Sequence, residues 1–433
     1  MTGVRELSTD VLIIGGGPAG LSAAAALAPR LDGEVVVIER EPAAGGIPRH
    51  CDHLGFGVRD QRTFVSGPAY ARRLESAALQ AGARIRVGSM VTGWTERRAA
   101  EVTSPDGLER ISARAIILAT GARERPRTAR LVAGDRPAGV YTTGQLQDLV
   151  HLHHRSPGER AVVVGAELVS WSAALTLRQA GCRGVLMTSE HERPEVYRAL
   201  STGGRLALRV ALQTRTRVAE IIGRGRVQAV ELERIDTRAR RRVACDTVVF
   251  TGDWIPDAEL ARMARLQTDP ETLGPLIDTA QATSASGVFA IGNLVHPADT
   301  ADVAALDGRA VATAVLAHLK GGGKLPGHAE HDPPTGPELL PGANLRWITP
   351  GALRPGTPAP GGRLSCRPRR DILLPAVTVS QGGSIITRRR LPWPASPGRV
   401  YRIPFSSLSG IDPAGPAVTI DLDRADRRRA RSR

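Results

Sequence analysis

Short apolar runs set the rhythm of the chain. Val11–Ile14 and Val35–Ile38 flank a glycine cluster and an Ala-rich stretch. Runs this short, bounded by glycine and charge, read as buried strands, so the segment predicts strand, turn, helix and parallel strand. Downstream, Ile47–Phe64 has neither helical nor strand periodicity and reads as an ordered loop. Tyr70–Ala81 predicts a helix, Ala83–Val91 a strand, Ala100–Thr103 and Glu109–Ile111 short strands, and Arg114–Gly121 a buried strand. Pro126–Tyr141, rich in Pro and Arg, connects two lobes, and Thr143–His154 predicts a helix. Strand, turn and helix then recur from Arg160, an internal repeat of the opening unit. Arg205–Leu212, Val227–Ile235 and Cys245–Gly252 close the repeat as strands, and Gly287–Ile291 predicts a strand leading into a helix over about 301–319.

After that helix the pattern changes. Residues 321–362 are rich in Pro and Gly and predict a linker, whereas 363–433 alternates in short runs that predict a basic β domain with a disordered tail. The fold class expected is α/β: two Rossmann-like dinucleotide-binding domains plus a small C-terminal β domain. The first domain is split in sequence, 1–150 and 275–320, and the second spans 155–255.

The chain has 433 residues and is 42% hydrophobic, with a mean hydropathy of −0.14. No apolar run approaches the roughly 20 residues needed to cross a bilayer. Four cysteines stand far apart without any C-x-x-C, which argues against zinc, an encoded iron–sulfur cluster or a local redox disulfide, and fits a reducing cytoplasm. The formal charge of +15 is concentrated late: from His331 onward there are 17 arginines against seven acids. With so few aromatics, that basic end reads as solvated surface or an acidic-partner contact, not a nucleic-acid site.

The chemistry sits in the turns. Gly15, Gly17 and Gly20 fit G-x-G-x-x-G, in which the first glycine makes the turn, the second admits a pyrophosphate and the third brings helix against strand. Pro18 and Ala19 lie inside the motif, Glu39 ends the second strand where an acid holds a ribose, Arg40 follows it, and Gly45–Gly46 come next. Small residues at Ala119–Gly121 and a Gly292–Asn293 corner mark two further strand ends where chain can pass close to a cofactor. In the repeat, Gly165 keeps the first glycine position, but Glu167 takes the second and Ser170 the third. A carboxylate facing a pyrophosphate is unfavourable, so this copy is expected to bind NAD(P)H poorly, although Glu190 could serve as its ribose acid. His50, Cys51 and His53 lack a fourth ligand and predict a pocket-lining loop, not a metal site; His151, His153 and His154 read as surface or interface.

The order GGGPAG, Glu39, Gly45–Gly46, ATG, second dinucleotide fold and IGN resembles the pyridine nucleotide-disulphide oxidoreductase superfamily over about 10–319. Within it, GGIPRHCDHLGFG, GP-x-YA, VVVGAELVSWSA and GDWIPD look most like FAD subunits of opine, proline, sarcosine and cyanide-forming glycine dehydrogenases and the flavoproteins associated with glycerol-3-phosphate dehydrogenase. The resemblance implies FAD held by Gly15, Gly17, Gly20, Glu39, Gly45 and Gly46, with Thr120 and Gly121 near the cofactor. Asn293 stands where the superfamily has Asp, and an amide can still serve ribityl hydroxyls. The resemblance also implies a partner, either a second dehydrogenase or an electron-transfer subunit. The leading expectation is an FAD-dependent oxidoreductase for a small amine, amino acid or hydroxy acid, or a relay of those electrons in a complex, with His50, Cys51, His53 and Asn293 at the pocket. The alternatives are an NAD(P)H-dependent flavin reductase and a non-catalytic FAD-carrying scaffold.

Overall fold

The computed structural model describes residues 4–96, 99–196, 198–297, 299–322 and 336–424. The disordered-tail expectation for 425–433 lies outside them. The opening unit folds as β1 (Arg5–Ile14), α1 (Pro18–Leu27) and β2 (Val35–Ile38). β1 is buried only over Val11–Ile14, the apolar run that predicted it. β2 pairs parallel with β1, and Gly107–Leu118 pairs parallel on β1's other side. Ile14, Ile38, Leu118 and Ala290 share one register level, so four strands end together. Glu109–Ile111 and Arg114–Gly121, expected as separate strands, are one continuous strand.

The second unit comprises β3 (Arg160–Val164), α2 (Leu168–Gln179) and β4 (Arg183–Thr188) in a five-stranded parallel sheet. Where a strand was expected at Arg205–Leu212, the chain forms a helix, Arg198–Leu208, and only then a strand, Ala211–Gln213. Gly204 is helical and close-packed: a Cβ there would lie 2.5 Å from the Trp171 ring. Thr143–His154 is likewise shorter than expected, an α-helix at Thr143–Gln147 passing into a π turn at Asp148–Leu152.

The linker expectation is corrected. Strands Leu339–Pro341 and Leu345–Thr349 lie inside 321–362 and join the C-terminal sheets, pairing with Val418–Arg424 and Arg363–Pro368. Proline and glycine there shape turns between short strands. This region is tied down by arginines that the charge count treated as surface. Arg346 and Arg369 reach Glu271 (3.1 and 3.3 Å), and Arg354 grips Asp278 at 2.5 Å with Asp278 2% exposed.

Removing one partner of a buried ion pair strands the other charge. Arg354→Met should therefore destabilise the chain by about 3 kcal/mol, measured as a shift in urea midpoint; a shift within error would show that backbone hydrogen bonds to Asp278 suffice. The helix after the Gly292–Asn293 corner, α3 (Ala301–Lys320), packs on α1 and completes the first domain.

Candidate functional site

The aligned strand ends open into a cleft of about 2440 Å³ shared by both dinucleotide units and the C-terminal region. That is well beyond the roughly 300–1,000 Å³ of ordinary ligand pockets. The three glycines of the first turn have separate duties. Gly15 has φ +109°, and a Cβ there would lie 2.4 Å from the Ala119 carbonyl oxygen. At Gly20 a Cβ would lie 1.9 Å from the Gly15 carbonyl oxygen. Both glycines are demanded by the protein's own packing. Gly17 is different: its backbone is extended (φ −81°) and no atom lies within 4 Å of a Cβ placed there. The space over the N-terminus of α1 is thus open, with N–H groups and the positive dipole end facing it.

The surrounding residues define the rest of that cradle. Glu39, 7% exposed, accepts hydrogen bonds from Gly16 N–H and Glu41 N–H, each 2.8 Å. Gly45 N–H donates to the Gly16 carbonyl at 2.7 Å, fixing the Gly45–Gly46 loop beside the turn. Arg40 is exposed and lies 3.7 Å from Asp257. Pro18 opens α1, and buried Ala19 packs against Gly292, whose φ of +68° makes the corner. The Thr120 hydroxyl points away, donating to the Asp257 carbonyl at 2.7 Å, so its backbone and that of Gly121 face the cleft.

The loop from Ile47 brings His50, Cys51 and His53 to the cleft wall. Cys51 is 5% exposed and its thiol donates to Gln147 Oε1 at 3.2 Å. Burial pushes the thiol up to about 12, which removes thiolate chemistry and makes Cys51 a packing residue. His50 keeps a buried Nδ1 without a hydrogen-bond partner, and burial, against the pull of Asp148, lowers its pKa so that it is neutral at pH 7. His53 Nδ1 contacts the Leu54 carbonyl at 2.9 Å, and its ring lies 5.3 Å from that of Phe56. Sequence reasoning missed Gln147 and Asp148 and read His151 as surface or interface; all three come to this loop from about 100 residues away, and His151, its side chain 8% exposed, bridges Asp52 (3.2 Å) and Thr176 (3.3 Å).

The second turn is built otherwise. Glu167 caps α2 and folds its carboxyl back into the turn: a Cβ at Gly165 would lie 2.7 Å from Oε2, and one at Gly252 2.8 Å from Oε1. Oε1 is buried without a partner, and burial together with the Glu195 charge raises the Glu167 pKa. Glu190 is exposed. In its place Glu195 is buried, with His191 Nε2 at 3.2 Å and Gly398 of the C-terminal region so close that a Cβ would lie 2.1 Å from Glu195 Cβ.

A family model described as pyridine nucleotide-disulphide oxidoreductase matches residues 9–316. The chain belongs to this family. It is 29% identical to the ferredoxin–NAD(+) reductase subunit of the Pseudomonas putida benzene 1,2-dioxygenase system over 66% of this chain and 67% of that one. It is 26% identical to an opine oxidase subunit from Agrobacterium tumefaciens over 72% and 66%. The chain thus spans about two thirds of each relative. T. acidophilum thioredoxin reductase shares the fold, with a TM-score of 0.61 at 21% identity, over 72% of this chain and 99% of that one.

As a member of this family the protein is an FAD-dependent oxidoreductase, and the open cradle at Gly17 with Glu39 at the end of β2 fits that cofactor. No helix among the described residues is long and apolar enough to cross a membrane. Asn293 explains its departure from Asp. Its Nδ2 donates to the Asp299 carbonyl (3.0 Å) while its Oδ1 accepts from Asp299 N–H (3.1 Å); a carboxylate could make only the second bond. Beyond it, His296 is buried between Asp307 and Asp299, and Arg402 from the C-terminal region pairs with Asp299. Burial opposes the charge on His296, but the two aspartates outweigh it and hold its pKa at about 9.

A folded-state pKa raised above the ordinary 6.5 means that stability is fully present below about pH 6.5 and is lost as pH rises through about 9. The apoprotein melting temperature should therefore fall between those values, and fall less in His296→Gln. Parallel profiles for the two proteins would show that His296 does not set this pH dependence.

Proposed function

We propose that this chain is the FAD-dependent subunit of an oxidoreductase that oxidises a small amine, amino acid or hydroxy acid, or relays those electrons within a complex, and that its second dinucleotide fold does not take NAD(P)H. One observation carries the reading: the Glu167 carboxyl occupies the second turn. A diphosphate approaching Gly165 would meet the bulk of that carboxyl, whose oxygens lie within 3 Å of a Cβ placed at Gly165 or Gly252, and its ionised form would repel the phosphates. Glu195 and the Gly398 loop lie where the strand end would otherwise meet a ribose. The first turn, with the same topology, keeps this space open.

FAD bound along β1, α1 and β2 supplies the capacity to accept a hydride. The chain's own residues then orient the substrate at the wall formed by the Ile47–His53 loop. His50, neutral at pH 7, is the proton acceptor for a substrate N–H or O–H, and His53 with Phe56 shapes the wall. The relatives whose names include opine oxidase favour this reading; those named as NAD(+)-linked reductases favour the rival. Anaerobic stopped-flow mixing of the FAD-loaded chain separates them. A panel of amino and hydroxy acids should bleach the flavin, whereas rapid saturable bleaching by NADH or NADPH would replace this reading with the reductase.

A further inference from the structure

We infer that the strand end of the second fold, where Arg367 comes beside Glu167 and Glu195 without pairing to either, binds a free α-amino acid. The inference rests on the reading that this turn takes no NAD(P)H, and its residues belong to the second fold and the C-terminal region, not to the first turn or the Ile47–His53 loop. Short contacts bring the three together. Glu195 N–H donates to the Ala166 carbonyl at 3.2 Å, inside the turn that carries Glu167. Gly398 closes on Glu195 from the C-terminal region, where a Cβ on the glycine would lie 2.8 Å from Glu195 Oε1. The neighbouring Pro397 carbonyl accepts from Arg367 Nε at 2.7 Å. All three side chains line the cleft.

Their charges are not satisfied within the protein. Arg367 is half-buried, yet it makes no ion pair, and its two terminal nitrogens have no partner among the described residues. Glu167 Oε1 is buried without a partner. Glu195, 8% exposed, shares Oε1 with His191 and accepts from the Ser189 hydroxyl only at 3.4 Å. The other charges of this wall are spent. Arg130 donates to the Thr251 and Gly252 carbonyls (3.1 and 2.7 Å), and Asp253 pairs with Arg125 at 3.0 Å. What remains is a guanidinium fork with two carboxyls beside it. The fork suits a carboxylate, which it holds through two parallel hydrogen bonds. An ammonium suits the carboxyls, because it donates to both and relieves their mutual repulsion. An α-amino acid carries both groups on one carbon, whereas a simple amine or acid would leave one side of the site unpaired.

The test is calorimetric titration of the FAD-loaded chain with a panel of the common L-α-amino acids, followed by amide hydrogen exchange with the tightest binder. At least one should bind saturably. Its deaminated acid and its decarboxylated amine should each bind at least about 30-fold more weakly, the loss expected when one charged group of a site is left unpaired. Exchange should slow over 166–170 and 397–400. Glu167→Gln and Arg367→Gln should each weaken binding by a similar factor with FAD content unchanged; glutamine is nearly isosteric at 167, so that arm stays readable if the second variant fails to fold. No saturable binding by any member at millimolar concentration, slowing confined to 47–53, an analogue that binds as tightly as the amino acid, or variants with wild-type affinity would each overturn the inference. Saturable bleaching by NADH would instead strike the reading of the second turn, and it is seen in the flavin's absorbance, apart from any heat of amino-acid binding.

Discussion

Gly17→Glu, which gives the first turn the residue that the second already carries, should abolish FAD binding while leaving the apoprotein folded. Gly17 has an extended backbone and open space where a Cβ would go, so the substitution disturbs no packing. The new carboxylate would project into the diphosphate cradle at the N-terminus of α1. Like charges a few ångströms apart in a poorly solvated site cost several kcal/mol, so FAD affinity should fall at least about 100-fold, read by titration of the apoprotein with FAD. Gly20→Ala supplies the contrast. Its Cβ would lie 1.9 Å from the Gly15 carbonyl oxygen, backbone against backbone, and the chain should lose its fold or several degrees of melting temperature. If Gly17→Glu binds FAD normally, the assignment of the cofactor to this turn is wrong.

His50→Asn should slow substrate-driven flavin reduction by about 10²- to 10⁴-fold, the usual worth of a positioned general base. The sign of the pH dependence follows from burial. Since the pKa of His50 is lowered from 6.5, the base is neutral above a value under 6.5. Wild-type reduction should therefore rise with pH to that point and stay flat beyond it. In His50→Asn the rise should vanish, whereas Cys51→Ser should keep both rate and profile, because its thiol is already neutral and hydrogen-bonded to Gln147. An asparagine variant within twofold of wild type would assign the proton transfer elsewhere.

The elements that position the cofactor were legible because their signals are local. Val11–Ile14, the glycine turn, α1 and Val35–Ile38 are specified within thirty residues of one another, and the structure places them with little change. The helix Arg198–Leu208 was not legible because its Gly204 packs on the Trp171 ring, a contact remote in sequence. The region before Gly362 misled because short strands rich in turn residues look like a linker until their partners at Val418–Arg424 are known. The late arginines looked like free surface charge; Arg346, Arg354, Arg369 and Arg402 instead hold Glu271, Asp278 and Asp299. Glu167 was readable as a departure from the fingerprint. Its burial beside Glu195, which the Gly398 loop covers, was not, since Glu195 and Gly398 stand 203 positions apart.

The two turns therefore make opposite statements with one topology, and the claim that electrons enter from a small substrate or a partner rests on the second of them. Its most direct test is anaerobic mixing of the FAD-loaded chain with NADH and with NADPH, followed by the flavin's visible absorbance. With Glu167 in the second turn, neither nucleotide should bleach the flavin in a saturable way. Rapid bleaching with micromolar half-saturation by either nucleotide would contradict that claim.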